Sequence, residues 1–176
     1  MNLPNIPAPA HRERYAVRWV FGQLPAHRRR AIVAFWLREG AIANADEAWR
    51  RAWEVACVLE DTLSGEVTGV CTVAIAHDAA ERSYGYVRIF IGRAHRYPGH
   101  NMRLMRRMIQ GFEQLATEPG APRRLLAGIE NPKIERRAGL RLLAALGFHV
   151  IGQTPEGGAL IERMLIAHPD HLDSTR

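Results

Sequence analysis

The groups most able to do chemistry lie in one short stretch. Gly92-Arg93-Ala94-His95-Arg96-Tyr97-Pro98-Gly99-His100 separates the β-rich run Tyr86-Val87-Arg88-Ile89-Phe90-Ile91 from a segment of helical period. That segment, Asn101 to Ala116, carries Met102, Met105, Ile109, Phe112 and Ala116 on one face. A Gly-containing turn that opens a helix after a strand is a natural anion site. The first N–H groups of the helix have no internal partner, and the macrodipole adds partial positive charge. Arg93, Arg96 and Arg103 add full charges around it. The chemistry this suits is retention of the pyrophosphate of a nucleotide-like cofactor. The competing reading is a plain strand-to-helix connection with solvated arginines.

Such a turn needs a scaffold on either side, and the rest of the chain supplies one. Residues 1–14 read as a Pro-rich arm, 15–167 as one domain and 168–176 as a tail. Large apolar residues alternate from Tyr15 to Phe21, which predicts a strand. Ala26 to Glu39 predicts a helix with Ile32, Phe35 and Trp36 inward and Gly40 at its end. Asn44-Ala45-Asp46-Glu47 reads as a capping box opening a second helix. Trp53–Leu59 and Val67–Ile75 form an expected antiparallel hairpin, and Ala76–Ser83 a polar loop. Beyond the central unit come a buried strand over Leu125–Ile129 and a helix over Glu135–Leu146, with Leu140, Leu143 and Ala144 inward. Strands over Phe148–Ile151 and Ala159–Ile166 complete the chain. The order β-α-α-β-β-β-α-β-α-β-β predicts an α/β fold. Its sheet is mixed and mostly antiparallel, with one parallel pair and helices on both faces.

Composition bounds the function. At 176 residues, 47% of them apolar, the chain suits one globular domain with a real core. No apolar run is long enough to span a membrane, and the N-terminus shows no export signal, so a cytoplasmic setting is expected. Cys57 and Cys71 fall in predicted strands, as buried thiols rather than a disulfide or metal pair. No Cys/His spacing suggests zinc. The net charge is +6, and of the 24 basic residues only Lys133 is lysine. Such a surface attracts phosphates or acidic partners, yet its charge is spread along the chain, which argues against a dedicated nucleic-acid module.

The element order, with an Arg-containing loop at its centre, resembles the GNAT (GCN5-related N-acetyltransferase) superfamily over roughly Tyr15 to Ile166. The family's cofactor motif is Q/R-x-x-G-x-G/A. Arg96-Tyr97-Pro98-Gly99-His100-Asn101 matches its Arg and first Gly, and Asn101 stands where Gly or Ala is usual. Glu130-Asn131-Pro132-Lys133, the helix ending Leu146-Gly147-Phe148, and Val150-Ile151-Gly152 resemble the family's later strand, helix and strand. The resemblance implies transfer of an acyl group, most simply acetyl, from acyl-CoA to a small-molecule or peptide amine. The backbone N–H groups of Tyr97, Gly99, His100 and Asn101 would face the pyrophosphate, with Arg96 beside them. Pro98 has no N–H to give. Pantetheine would lie beside Phe90 and Ile91, with Asn131 orienting it or the acceptor.

The family often uses a Tyr four residues before the Gly-Phe pair as acid, and here that position is Leu143. Tyr86, or else Tyr84, is then the expected proton donor. Glu130, His77 and His95 are candidate bases, and Arg88 is the candidate for binding a substrate carboxylate. Two further readings stand beside this one. The first is a GNAT-like module that binds acyl-CoA without turnover. The second is an acyltransferase working on a large acidic partner such as a carrier protein or RNA, through Arg103, Arg106 and Arg107. A homodimer is compatible with each.

Overall fold

The structure is a computed structural model and describes residues 14–131 and 134–165. One seven-stranded sheet runs through the chain in the order β1-β2-β3-β4-β5-β7-β6. Its strands are β1 (Tyr15–Trp19), β2 (Val55–Asp61), β3 (Val67–His77), β4 (Ser83–Ile91), β5 (Arg124–Gly128), β6 (His149–Gln153) and β7 (Ala159–Met164). The helices are α1 (Ala26–Glu39), α2 (Ala45–Arg51), α3 (His100–Leu115) and α4 (Arg137–Ala145). Two single turns of 3-10 helix, Ala52–Glu54 and Arg93–His95, lead into β2 and follow β4.

Side-chain alternation explains the layering. One face of β2, β3 and β4 supplies Cys57, Leu59, Cys71, Val73, Val87 and Ile91 to a core closed by Leu104, Met108 and Phe112 of α3 and Leu143 of α4. The other face supplies Val58, Val70 and Phe90, covered by Ile32, Phe35 and Trp36 of α1 and Ala48 of α2. Helices thus cover both faces, as the element order predicts. Asn44 caps α2 through its side chain, accepting from the N–H groups of Asp46 (2.8 Å) and Glu47 (3.1 Å).

Several sequence expectations need correction. Trp53 is not in a strand but in the 3-10 turn before β2, and it is 70% exposed. β4 begins at Ser83, three residues earlier than its apolar run, because Ser83 and Gly85 are buried in the alternating pattern. Any side chain at Gly85 would collide with Val73. The polar loop shrinks accordingly to residues 78–82. In α4, Leu143 is buried but Ala144 faces outward. Arg14, assigned to the arm, is tied to Asp61 by hydrogen bonds of 2.9 and 2.6 Å. The rest of the arm, the tail, Pro132 and Lys133 lie outside the described residues. No helix among the described residues is long and apolar enough to cross a membrane.

Candidate active site

The parallel pair β4/β5 makes the site. Only Tyr84, Gly85 and Tyr86 pair with β5, opposite Arg124, Leu125 and Leu126. β4 runs on to Ile91, still paired with β3 as far as Gly69. Past Tyr86, one edge of β4 therefore faces a gap. Backbone groups of successive strand residues face opposite neighbours. The Gly92 N–H donates to Thr68 at the start of β3 (2.9 Å), so Ile91 and Ile89 turn their backbone groups toward the gap. The Ile91 carbonyl is already taken, accepting from Arg96 Nε at 2.9 Å. The backbone of Ile89 offers its donor and acceptor to an amide-bearing ligand, in the manner of an added strand.

The turn of Arg93–Asn101 stands at the end of this gap. Gly99 has φ +90°, a left-handed conformation that favours glycine, and a Cβ there would meet nothing within 4 Å. The N–H groups of Gly99, Asn101 and Met102 make no hydrogen bond among the described residues. They fit an anion. Two donors expected to share that work are occupied instead. The Tyr97 N–H donates to the His95 carbonyl (2.9 Å) and the His100 N–H to the Tyr97 carbonyl (3.3 Å). This small turn is what lets the chain reverse onto α3.

The Arg96 side chain folds back on β4, its guanidinium 5.7 Å from the Phe90 ring centre, so it does not reach past the turn. Arg103 points the other way and donates to the Tyr15 carbonyl (2.6 Å). His95, a candidate base, is engaged through Nδ1 with the Tyr15 hydroxyl at 2.9 Å. His100 is 3% exposed, its Nδ1 3.0 Å from the His95 carbonyl and its ring 4.6 Å from that of Tyr15. These contacts make Tyr15, His95 and His100 the buttress of the turn that leads into α3. Burial pushes the Tyr15 hydroxyl above its ordinary value, which keeps it protonated in that role.

On the α1/α2 face of β4 three side chains line up with period two: Tyr86, Arg88 and Phe90. Phe90 meets Phe35 of α1 edge-on at 5.7 Å. The Arg88 guanidinium lies over the Tyr86 ring, 4.7 Å from its centre. The Tyr86 hydroxyl sits at Gly128, where a Cβ would come within 2.8 Å of it. It makes no hydrogen bond among the described residues. Its place is therefore the fork where β4 and β5 part.

Sequence reasoning missed Glu54. It ends the 3-10 turn before β2, 34 positions from Arg88, and its carboxylate lies 3.7 Å from the Arg88 guanidinium. No local pattern pointed to it. The sequence pattern places it inside the expected strand Trp53–Leu59. Glu130 and Asn131 are exposed just past β5. Glu130 makes no hydrogen bond or ion pair with any described residue. Asn131 accepts the Ile134 N–H through its carbonyl (2.9 Å). His77 is exposed at the end of β3. Both cysteines are buried and free, and burial pushes the Cys57 thiol up to about 12, which leaves it inert as a nucleophile. No cluster of His, Cys, Asp and Glu among the described residues could hold a metal ion.

No protein-family model matches the sequence, and no curated protein does. Solved structures do resemble the fold. A GNAT-superfamily phosphinothricin acetyltransferase from Sinorhizobium meliloti, in complex with acetyl-CoA, superposes with a TM-score of 0.60 at 19% identity, covering 86% of this chain and 88% of its own. An N-acetyltransferase from Staphylococcus aureus Mu50 gives 0.59 at 21% identity, covering 86% and 99%. A GCN5-related N-acetyltransferase from Kribbella flavida gives 0.59 at 19%, covering 87% and 99%. The chain has the fold of the GNAT superfamily, a mixed α/β sheet parted between its fourth and fifth strands.

Proposed function

We propose that this protein is an N-acyltransferase that moves an acyl group, in the first instance acetyl, from acyl-CoA to an amine. The observation that carries the reading is the gap beside β4. It has a backbone edge at Ile89, a helix N-terminus led by Gly99 at one end and a phenol at the other. The fold is shared with acetyltransferases, one of them solved with acetyl-CoA.

When bound, acetyl-CoA supplies an acyl group held as a thioester, which an amine takes up as an amide with release of the thiol. The N–H groups of Gly99, Asn101 and Met102 hold the pyrophosphate, helped by the α3 dipole. The edge of β4 holds the pantetheine amides, beside Phe90 and Ile91, while Asn131 is a further polar group at the far side of the gap. Tyr86 holds a proton on its hydroxyl at the fork, in place of the tyrosine that Leu143 replaces. Arg88 binds acceptor, and Glu130 is an exposed carboxylate able to take a proton near the end of β5.

A second reading, binding without turnover, draws support from Leu143, which is buried and has no proton to give. The acidic-partner reading loses two of its three arginines, since Arg103 is bonded to Tyr15 and Arg107 stacks on Trp19. Calorimetry with CoA, acetyl-CoA and longer acyl-CoAs is the first test. Acetyl-CoA binding, with thiol release in the presence of an amine panel, is expected. Absence of acyl-CoA binding would overturn the reading. Binding by a protein that releases no thiol would transfer support to the non-catalytic reading. If turnover is found, Tyr86→Phe should lower kcat at least tenfold at nearly constant acetyl-CoA affinity, since a positioned acid contributes about 10²–10⁴ in rate.

A further inference from the structure

The last helical residue of α1 has the wrong charge for its place. A helix C-terminus carries partial negative charge, and cations suit it. Arg38 obeys this rule, and Glu39 beside it does not. Such local rules are broken most often where a site requires it. Gly40, at φ +67°, ends the helix immediately afterwards. The Glu39 carboxylate reaches across to the chain leaving β4, where Oε2 accepts the Arg93 N–H at 3.1 Å. It makes no other hydrogen bond or ion pair among the described residues. Gly92 makes room for this contact. A Cβ there would stand 3.2 Å from the Phe35 ring and 3.3 Å from the Glu39 carboxylate. Arg93 opens the 3-10 turn Arg93–His95, and the leading N–H of such a turn has no partner within it. Short bonds then follow one another toward α3. The His95 N–H donates to the Gly92 carbonyl (2.9 Å), Tyr97 to His95 (2.9 Å) and His100 to Tyr97 (3.3 Å). The stretch is thus pinned from both faces of the sheet. Tyr15 holds His95 from the α3 side, and Glu39 holds Arg93 from the α1 side.

We propose that Glu39 is a positioning residue for the turn that receives the pyrophosphate. It ties that turn to α1, the helix whose Phe35 packs on Phe90 beside the gap. The inference rests on the acyltransferase reading and adds a residue to it. Charge alone argues the reverse. A carboxylate bonded to a turn that receives an anion repels the ligand, so its removal should tighten binding. Geometry predicts the opposite. Without its acceptor the Arg93 N–H is left to water, and the start of the turn is released from α1. The N–H groups of Gly99, Asn101 and Met102 then lose their common aim, and ordering them again weakens binding. Glutamine separates the two effects, because it keeps an oxygen that accepts the Arg93 N–H and drops the charge.

The test is calorimetry with acetyl-CoA on the full chain, for wild type, Glu39→Gln and Glu39→Ala, with thermal unfolding of each. Glu39→Gln should bind at least as tightly as wild type. Glu39→Ala should bind about three- to tenfold more weakly than Glu39→Gln, the worth of one hydrogen bond. Both variants lack the charge, so their ratio reads the hydrogen bond alone. If Glu39→Ala does not fold, Glu39→Ser, whose hydroxyl is too short to reach Arg93, takes its place. Amide exchange in the ligand-free proteins supplies a second readout. The Arg93 N–H should exchange faster in Glu39→Ala than in Glu39→Gln. Equal affinity of the two variants, or tighter binding by Glu39→Ala than by wild type, would overturn the role while leaving the acyltransferase in place. Equal exchange at Arg93 would do the same. A wild type that binds no acetyl-CoA would overturn the reading beneath it and this role with it.

Discussion

Gly128→Ala probes where the Tyr86 hydroxyl stands without needing to know the acceptor. A Cβ at position 128 would lie 2.8 Å from Tyr86 Oη and 2.9 Å from Thr154 Cγ2. Relaxed contacts of such atoms lie at about 3.5–4.0 Å. Gly128 does not use a left-handed φ, so alanine suits its backbone and the cost is crowding alone. Overpacking of this kind costs about 1–3 kcal/mol. For a domain of this size that is a fall in Tm of about 2–12 °C. Tyr86→Phe removes one of the two crowded atoms. In the Tyr86→Phe background Gly128→Ala should therefore cost less, with a coupling of about 0.5–1.5 kcal/mol. Urea or thermal unfolding of wild type, both single variants and the double variant measures it. Additivity to within about 0.3 kcal/mol would refute the placement of the hydroxyl at the fork. The same four proteins carry a kinetic corollary. If the hydroxyl is the acid, displacing it slows turnover in wild type, and the double variant is no slower than Tyr86→Phe.

Gly99→Val is expected to weaken acetyl-CoA at least tenfold, about 1.4 kcal/mol, with the fold retained, since the strain comes from φ +90° rather than from a clash; calorimetry checks it, and unchanged affinity in the folded variant would remove the phosphate site from this turn. Leu143→Ala should cost about 2–5 kcal/mol in unfolding free energy, because Leu143 is only 9% exposed in the α3/α4 core, and a loss of kcat at unchanged Tm would contradict that role. The Arg14 guanidinium beside Asp61, with the Leu63 N–H, holds the Asp61 carboxyl below its ordinary value. Its contribution to stability is therefore whole above the ordinary aspartate range and is lost as pH falls through the depressed value. Asp61→Asn should flatten the acid limb of a Tm–pH curve, and an unchanged limb would show that the pair does not stabilise the fold.

Much of this architecture was written in local patterns. The α1 boundaries, the β2/β3 hairpin, the Asn44 cap and the strand–turn–helix at the centre each follow from a period, a cap residue or a turn residue within a few positions. The failures have a shared cause. Trp53 reads as strand because aromatics favour strands, yet it sits in the middle of a 3-10 turn and faces solvent. The donors at Tyr97 and His100 read as available because sequence does not show which carbonyls a turn folds back upon. Arg96 matches a cofactor motif by type, but its reach is decided by the Ile91 carbonyl that the parting strands leave open. Glu54 is invisible for the same reason. Its partner is set by the registers of two antiparallel ladders, and neither leaves a mark on its own neighbours.

The three-residue seam between β4 and β5 also bears on how the molecule opens. On one side, β1 to β4 are joined by long antiparallel ladders. On the other, β5, β7 and β6 form a smaller group whose outermost strand, β6, is exposed along its whole length. Few backbone bonds cross from one group to the other, although the two share one apolar core, so the smaller group and α4 are expected to open at a lower free energy than β2 and β3. Amide hydrogen exchange should register this as two classes of protection, with Leu126 and Ile161 exchanging ahead of Val58 and Val70. A ligand bound along the seam makes contacts to both groups and merges the two classes. The gap proposed to admit a ligand is also the place where the sheet is most weakly laced, and occupancy would then be read out as cohesion.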